Sequence, residues 1–218
     1  EALGCRAATN DVVAQDCDVI FLGVKPQMMA DMLAGIAPIL AKRSGRFVLV
    51  TMAAGLSMAR VREMAGGAYP IIRIMPNTPV SLGAGMIQYC TSNVTAEEEA
   101  EFLKLMAPAG RLDAVPESLI DAASCVSGCG PAWVYQFIEA LADAAVKHGI
   151  VRADAYRMAS QMVVGTGKLQ LAMGQHPGVM KDAVCSPGGT TIVGVAELER
   201  KRFRGAVIDA IDAIQDKK

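Results

Sequence analysis

The chain has few aromatic residues, few histidines and almost no net charge. Phenylalanine, tyrosine and tryptophan make up 5% of its 218 residues, there are two histidines, and the formal net charge is −1. A nearly neutral chain with dispersed basic residues presents no strong cationic surface to a nucleic acid. No apolar run reaches the roughly 20 residues that a membrane-spanning helix requires. We therefore expect neither nucleic-acid binding nor membrane insertion.

Recognisable metal-binding and export signals are also missing. The six cysteines form no Cys-x-x-Cys pair, and with the two histidines they match no zinc-binding spacing, so no metal site is predicted. We interpret them as reduced thiols, which favours a cytoplasmic protein. No signal peptide is visible and the first residue is Glu rather than Met, so we expect the sequence to begin inside a longer protein.

The first half of the chain alternates between strand and helix patterns. Strands are predicted over residues 18–24, 46–52, 70–75, 85–90 and 111–115, and helices over residues 27–40, 57–64 and 95–106. This alternation predicts a mainly parallel α/β sheet. The Gly-x-Gly-x-x-Gly turn that follows the first strand of a dinucleotide-binding fold is nevertheless absent.

The second half shows helical patterns and no further strand pattern. Helices are predicted over residues 119–125, 132–147, 153–173, 177–185 and 191–215. We expect an interruption near residues 128–131, because a proline disfavours helical structure at the residue before it. The boundary between the two halves is predicted near residues 115–118.

A loop at residues 186–191 reads Ser-Pro-Gly-Gly-Thr-Thr and leads into a helical pattern. Pro187 restricts one backbone angle, and the two glycines permit a tight turn or the close approach of a ligand. The first amides of the next helix have no partner within it, so this loop suits a small carboxylate. An ordinary turn with a threonine cap is the alternative interpretation.

Three further segments lie upstream of this loop and are considered together with it. They read Gly-Val-Lys-Pro-Gln at residues 23–27, Arg-Ile-Met-Pro-Asn-Thr-Pro at 73–79 and Val-Ser-Gly-Cys-Gly-Pro-Ala-Trp at 126–133. In order and spacing the four segments resemble those of pyrroline-5-carboxylate reductase, over essentially the whole chain. The resemblance implies reduction of the cyclic imine 1-pyrroline-5-carboxylate to L-proline, the last step of proline biosynthesis, with NADPH or NADH as cofactor.

The resemblance also implies a fold and an assembly. It indicates a Rossmann-like dinucleotide-binding domain over residues 1–116, without its N-terminal part, followed by an all-α domain over residues 117–218. The second domain would bind substrate and form a homodimer or a larger homo-oligomer. The preference between NADPH and NADH is left open, because the residues that read the ribose would lie before Glu1.

Site residues follow from the same resemblance. Thr191 is expected to hydrogen-bond the ring nitrogen of the substrate and to be the main catalytic contact. Ser186 and the amides of Gly189 and Thr190 are expected to hold the substrate carboxylate. The residues expected to bind the cofactor are Val24, Lys25, Pro26, Met52, Ala53, Ala54 and Asn77.

Two residues depart from the family pattern, and two other functions stay open. Cys129 and Trp133 stand where the pattern has serine and tyrosine, which leaves the role of that serine hydroxyl open. A β-hydroxyacid dehydrogenase shares the plan of an α/β domain and a helical domain, but its usual helix-borne lysine has no matching motif here. A non-catalytic scaffold derived from the reductase is supported by the missing glycine turn alone.

Overall fold

The computed structural model describes residues 4–217, and its first compact unit extends to Cys129. Five strands form one sheet and lie side by side in chain order: β1 (Val19–Leu22), β2 (Val48–Thr51), β3 (Ile71–Met75), β4 (Gly85–Ser92) and β5 (Gly110–Ala114). The first three strands are parallel, β4 runs antiparallel to β3, and β5 is parallel to β4. The predicted α/β class with a mainly parallel sheet is confirmed.

Helices cover both faces of this sheet. They are α1 (Asn10–Asp16), α2 (Met29–Leu40), α3 (Met58–Ala65), α4 (Ala96–Met106) and α5 (Glu117–Ser124). Neighbouring strand residues alternate between two apolar cores: Leu49 and Ile71 pack with α1, α2, α3 and α5, whereas Val50 and Ile72 pack with Phe102 of α4. Burial of each such side chain contributes about 1.5–3 kcal/mol. The central strands β2 and β3 therefore bury apolar side chains on both faces, as in parallel sheets generally.

The chain stays helical where an interruption was expected. After α5 it forms a π-helical turn, Cys125–Cys129, and α6 begins directly at Gly130. Pro131 has no N–H and its ring conflicts with the ordinary hydrogen bond to the residue four before it. A π turn shifts the bonding pattern by one residue. The proline is accommodated by a wider turn, so the α-helix is interrupted as predicted, but by a π turn at Cys125–Cys129 rather than by a non-helical break over residues 128–131.

The second compact unit begins at Gly130, and its described part consists of helices joined by loops and turns, without a strand. Its helices are α6 (Gly130–Lys147), α7 (Arg152–Met173), α8 (Pro177–Ala183), α9 (Thr190–Arg200) and α10 (Phe203–Gln215). The single helix predicted over residues 191–215 is wrong, because Arg202 takes a left-handed conformation with φ 59° and separates α9 from α10. Glycine is the residue that usually marks a left-handed conformation in a sequence. Because this position is an arginine, the sequence contains no indication that the helix is broken here.

The predicted domain boundary after residue 116 stays a prediction. In the structure α5 belongs to the first unit, because Ile120 is fully buried in the core that α1, α2 and α3 form with the sheet. No helix within residues 4–217 combines the length and apolar character needed to cross a lipid bilayer.

Candidate active site

Three loops follow the parallel strands at one edge of the sheet. Leu22 at the end of β1 pairs with Thr51 at the end of β2, and Thr51 pairs with Arg73 of β3. Ligands of open α/β sheets bind outside the carboxyl ends of the strands, which is this edge. The loops hold the residues predicted for the cofactor, namely Val24, Lys25 and Pro26 after β1, Met52, Ala53 and Ala54 after β2, and Asn77 after β3.

The loop after β1 turns directly into a helix. Lys25 precedes a 3₁₀ turn, Pro26–Met28, and its carbonyl accepts the N–H of Met28 at 2.9 Å. Proline suits the first position of such a turn because an N–H there would lack an internal partner. The Lys25 side chain is exposed, so it supplies positive charge at the edge of the sheet.

The loop after β2 is held at both ends. The Thr51 hydroxyl is buried and accepts the N–H of Ala53 at 3.4 Å. At the start of α3, the Met58 N–H donates to Oε1 of Glu117 at 2.6 Å. Between these points Ala53 is buried in the apolar core, whereas Ala54 is exposed, so its small side chain leaves the backbone there open to a ligand. Thr51 and Glu117 were not singled out from the sequence, since one is part of a strand pattern and the other of a helix pattern.

The loop after β3 is fixed by the Asn77 side chain. Its Oδ1 accepts the N–H of Met86 at 3.0 Å, and its Nδ2 donates to the Ser127 carbonyl at 3.0 Å. The Ser127 hydroxyl donates to Oε1 of Gln88 at 2.8 Å, and both of these residues are buried. Gln88 was missed from the sequence. The available signal was a polar residue inside an apolar strand, which needs a partner when it is buried.

A buried cation lies beside these loops. Arg73 of β3 is 3% exposed and faces two carboxylates of α5, Asp121 at 2.8 Å and Glu117 at 3.5 Å. Burial raises the pKa of the nearby Cys90 thiol to about 11, the Glu117 charge adds to this shift and the Arg73 charge opposes it. Cys90 is therefore a protonated thiol at neutral pH rather than a nucleophile.

The predicted substrate residues share one turn of the second unit. The Gly189 N–H donates to the Ser186 carbonyl at 3.0 Å, and Gly188 has φ +68°, which favours glycine. A side chain on Gly189 would overlap Oγ of Ser186 and lie 3.1 Å from its carbonyl oxygen. Since the Gly189 amide already has a partner, the amides that follow it at the start of α9 are the ones suited to a carboxylate.

The threonines of this turn are open to solvent. Thr190 is the first residue of α9, Gly189 is its N-cap, and both Thr190 and Thr191 are exposed. The turn therefore brings the Ser186 hydroxyl and the hydroxyl-bearing start of a helix into one short segment, where the helix dipole favours an anion. Across residues 4–217 no cluster of three metal-ligating side chains is found.

Known proteins with a similar sequence are reductases. A family model described as pyrroline-5-carboxylate reductase dimerisation matches residues 117–218. The pyrroline-5-carboxylate reductase of Escherichia coli (strain K12) is 44% identical over 219 residues, which covers 100% of this chain and 80% of the relative. The pyrroline-5-carboxylate reductase of Glycine max is 40% identical over 206 residues, covering 94% of this chain and 74% of the relative.

A solved structure extends this similarity to the fold. The crystal structure of Plasmodium falciparum pyrroline carboxylate reductase with NADP bound matches with a TM-score of 0.86 at 33% identity. The match covers 97% of this chain and 79% of that chain. Sequence and fold thus point to the same family.

Proposed function

Because this chain belongs to the pyrroline-5-carboxylate reductase family, we infer that it catalyses the NAD(P)H-dependent reduction of 1-pyrroline-5-carboxylate to L-proline. The observation that carries this function is the 44% identity to the Escherichia coli reductase across 100% of the chain. The dehydrogenase alternative loses its support, since family membership accounts for the Ser-Pro-Gly-Gly-Thr-Thr loop, which that alternative left unexplained. The scaffold alternative is tested by the activity assay below.

The cofactor belongs at the carboxyl edge of the parallel strands, where the residues present fit a dinucleotide. Lys25 contributes an exposed positive charge for a phosphate or a ribose hydroxyl. The exposed Ala54 leaves the backbone after β2 open to close approach, while Ala53 is buried and the Thr51 hydroxyl fixes the path of that backbone. Bound NAD(P)H supplies the hydride that reduces the imine carbon.

The substrate is assigned to the loop at residues 186–191. The Ser186 hydroxyl and the first amides of α9 suit its carboxylate, because the start of a helix attracts an anion. The Thr191 hydroxyl is placed on the first turn of α9 and would hydrogen-bond the ring nitrogen, where the charge changes as the imine is reduced. This chemistry needs positioning and charge stabilisation rather than a metal or a covalent nucleophile.

Assembly into a homodimer is the expected quaternary state. In the second unit, large apolar side chains are exposed on several helices, among them Leu171 at 70%, Val193 at 68% and Ile208 at 60%. Exposed apolar surface of this extent is typical of a subunit interface. Light scattering coupled to size-exclusion chromatography should give at least twice the mass of one chain. We also assign the enzyme to the cytoplasm, because its six cysteines form no Cys-x-x-Cys pair and are interpreted as reduced thiols.

The test of the function compares two neighbouring threonines. The intact protein should oxidise NADPH or NADH in the presence of 1-pyrroline-5-carboxylate, and Thr191→Ala should lower kcat/KM by roughly 10²-fold. Thr190→Ala is the matched control: it removes a hydroxyl from the same exposed turn but keeps the backbone amide, so its loss should be much smaller.

The possible outcomes test the proposed reaction and the role of Thr191 separately. Turnover that is equally sensitive to both substitutions would remove Thr191 from its assigned role and keep the reaction. The absence of turnover with either cofactor, in protein shown to be folded by circular dichroism, would contradict the proposed function and favour the scaffold.

A further inference from the structure

We propose that Gln88 is a positioning residue for the nicotinamide cofactor, acting through Ser127 on Asn77. The inference rests on the proposed function, because Asn77 follows β3 at the edge assigned to the cofactor. Its structural basis is a ring of hydrogen bonds among three side chains and the backbone of β4 and the π-helical turn. All members of this ring lie in the first compact unit.

The orientation of the Asn77 amide is determined by its two partners. Oδ1 faces a backbone N–H, that of Met86, and Nδ2 faces a backbone carbonyl, that of Ser127. A backbone N–H can only donate and a backbone carbonyl can only accept. A flipped amide would therefore bring its NH₂ group against the Met86 N–H and its oxygen against the Ser127 carbonyl oxygen. One N–H and one lone pair of the amide are left, and their directions are set by the two bonds already made.

The Ser127 carbonyl is available to Asn77 because of a proline four residues on. In an ordinary helix this carbonyl would accept the N–H of residue 131, which is Pro131 and has none. The chain responds with the π-helical turn Cys125–Cys129, which has Ser127 at its centre. The position of the acceptor for Asn77 therefore depends on how firmly this wide turn is held.

Gln88 holds that turn from the sheet. The Ser127 hydroxyl has one proton and two acceptors in reach, Oε1 of Gln88 at 2.8 Å and the Ala123 carbonyl at 3.4 Å. The shorter bond takes the proton, and Gln88 is 4% exposed, so water does not replace it readily. Gln88 pairs across the sheet with Met75, two residues before Asn77. The ring thus closes between β4, the end of β3 and the π-helical turn.

Loss of the Gln88 acceptor should act on cofactor binding. The Ser127 hydroxyl would turn to the Ala123 carbonyl within its own helix, and the Ser127 carbonyl would no longer be fixed for Asn77. The amide at the cofactor edge would then lose its set orientation. We expect the Kd for NADPH to rise roughly tenfold, the loss typical of one hydrogen bond.

The experiment measures NADPH binding by calorimetry on the intact protein, beside steady-state kinetics. Gln88→Met keeps the length of the side chain and removes the acceptor, and Ser127→Ala removes the donor. Ser124→Ala is the matched control, since its hydroxyl bonds only to the Asp121 carbonyl of its own helix in this structure. Both test variants should raise Kd and KM for NADPH, with KM for 1-pyrroline-5-carboxylate unchanged, and Ser124→Ala should resemble the parent protein.

A double variant identifies the route of the effect. If Gln88 acts through Asn77, Gln88→Met combined with Asn77→Ala should bind NADPH as Asn77→Ala does alone. Additive losses would overturn the proposal, as would a Gln88→Met protein that binds NADPH normally. Should Gln88→Met fail to fold, Ser127→Ala answers the same question by the same measurements.

The binding readout keeps this proposal separate from the reaction. A parent protein that binds NADPH but does not reduce 1-pyrroline-5-carboxylate would contradict the proposed function and still allow the Gln88 test. A parent protein that binds neither NADPH nor NADH would overturn both.

Discussion

Arg73 of β3 donates from Nη2 to Oδ1 of Asp121 at 2.8 Å, and this bond joins α5 to the sheet. The guanidinium is buried, and its Nε has no hydrogen-bond partner among the described residues. Its Nη1 lies 3.5 Å from Glu117, whose carboxylate also accepts the Met58 N–H at the start of α3. The same cation thus orders α5 and, through Glu117, the loop assigned to the cofactor.

The first prediction concerns the stability that Asp121 contributes. Asp121→Asn should lower the free energy of unfolding by about 2 kcal/mol, because a buried guanidinium then keeps its desolvation cost without its closest charged partner. Asp113→Asn is the matched control: Asp113 also has a 39% exposed side chain and an arginine at 2.8 Å, but its partner Arg111 is 66% exposed. The control should lose less than about 1 kcal/mol in urea denaturation. If both substitutions lowered the free energy of unfolding equally, the burial of Arg73 would not determine how much its ion pair contributes to stability.

The sequence predicted the elements of the sheet well, and for a physical reason. Strands β2 and β3 are apolar apart from Thr51 and Arg73, because helices cover both faces of the sheet, and such a run of apolar residues can be recognised from the sequence alone. α1 escaped prediction because seven residues contain too few turns to show a period. The break between α9 and α10 at Arg202 was not predicted, because an arginine in the left-handed conformation cannot be recognised from the sequence.

The candidate site was only partly accessible to sequence reasoning. The loops that contain Lys25, Ala53 and Asn77 were found through a family resemblance, and the parallel register brings them to one edge. The contacts that fix those loops join residues about 40 to 60 positions apart, as in Gln88 with Ser127 and Met58 with Glu117. Pairings over such distances depend on the fold, and no local pattern predicts them.

The second prediction is a pH dependence of stability at the start of α4. Hydrogen bonds from Arg46 lower the pKa of Glu98 below its ordinary value, burial opposes this, and the Thr95 N–H adds to the lowering. A carboxylate with a lowered pKa in the folded state stabilises the protein above the ordinary glutamate pKa, and this contribution is lost as the pH falls through the folded value. Glu98→Gln should therefore be less stable than the parent near pH 7, with a difference that shrinks toward pH 3.

The measurement is the free energy of unfolding in urea as a function of pH. Glu101→Gln serves as the control, since Glu101 is exposed on the same helix and its substitution removes the same formal charge. If both substitutions gave the same pH profile, the effect would be one of net charge rather than of the contacts that Glu98 makes with Arg46 and Thr95.

The third prediction concerns cysteine reactivity. Cys90 is 8% exposed and its thiol has a pKa of about 11, raised by burial, whereas Cys5 is exposed. Iodoacetamide at pH 8 should modify Cys5 and leave Cys90 unmodified in the native protein, because alkylation needs an accessible thiolate. Peptide mass spectrometry would locate the adducts, and the same treatment in urea should label both. Native labelling of Cys90 at the rate of Cys5 would contradict the described burial.

The fourth prediction tests the substrate loop without removing any hydroxyl. Gly189→Ala would place a methyl group against Oγ of Ser186 and 3.1 Å from its carbonyl oxygen, so the hydroxyl must rotate away and the carbonyl must shift by a few tenths of an ångström. The displaced Ser186 hydroxyl would no longer be placed for the substrate carboxylate, and we expect KM for 1-pyrroline-5-carboxylate to rise roughly tenfold, with KM for NADPH unchanged.

Gly194→Ala provides the control for this change on the same helix. A methyl group at Gly194 meets no atom within 4 Å in the protomer, and alanine favours a helix interior over glycine by up to about 1 kcal/mol, so this variant should keep its KM values. Two results would count against the assignment of the loop. An unchanged KM for the substrate in Gly189→Ala would mean that the carboxylate is held elsewhere. A parallel rise in KM for NADPH would mean that the substitution disturbs the enzyme generally, rather than the turn that precedes α9.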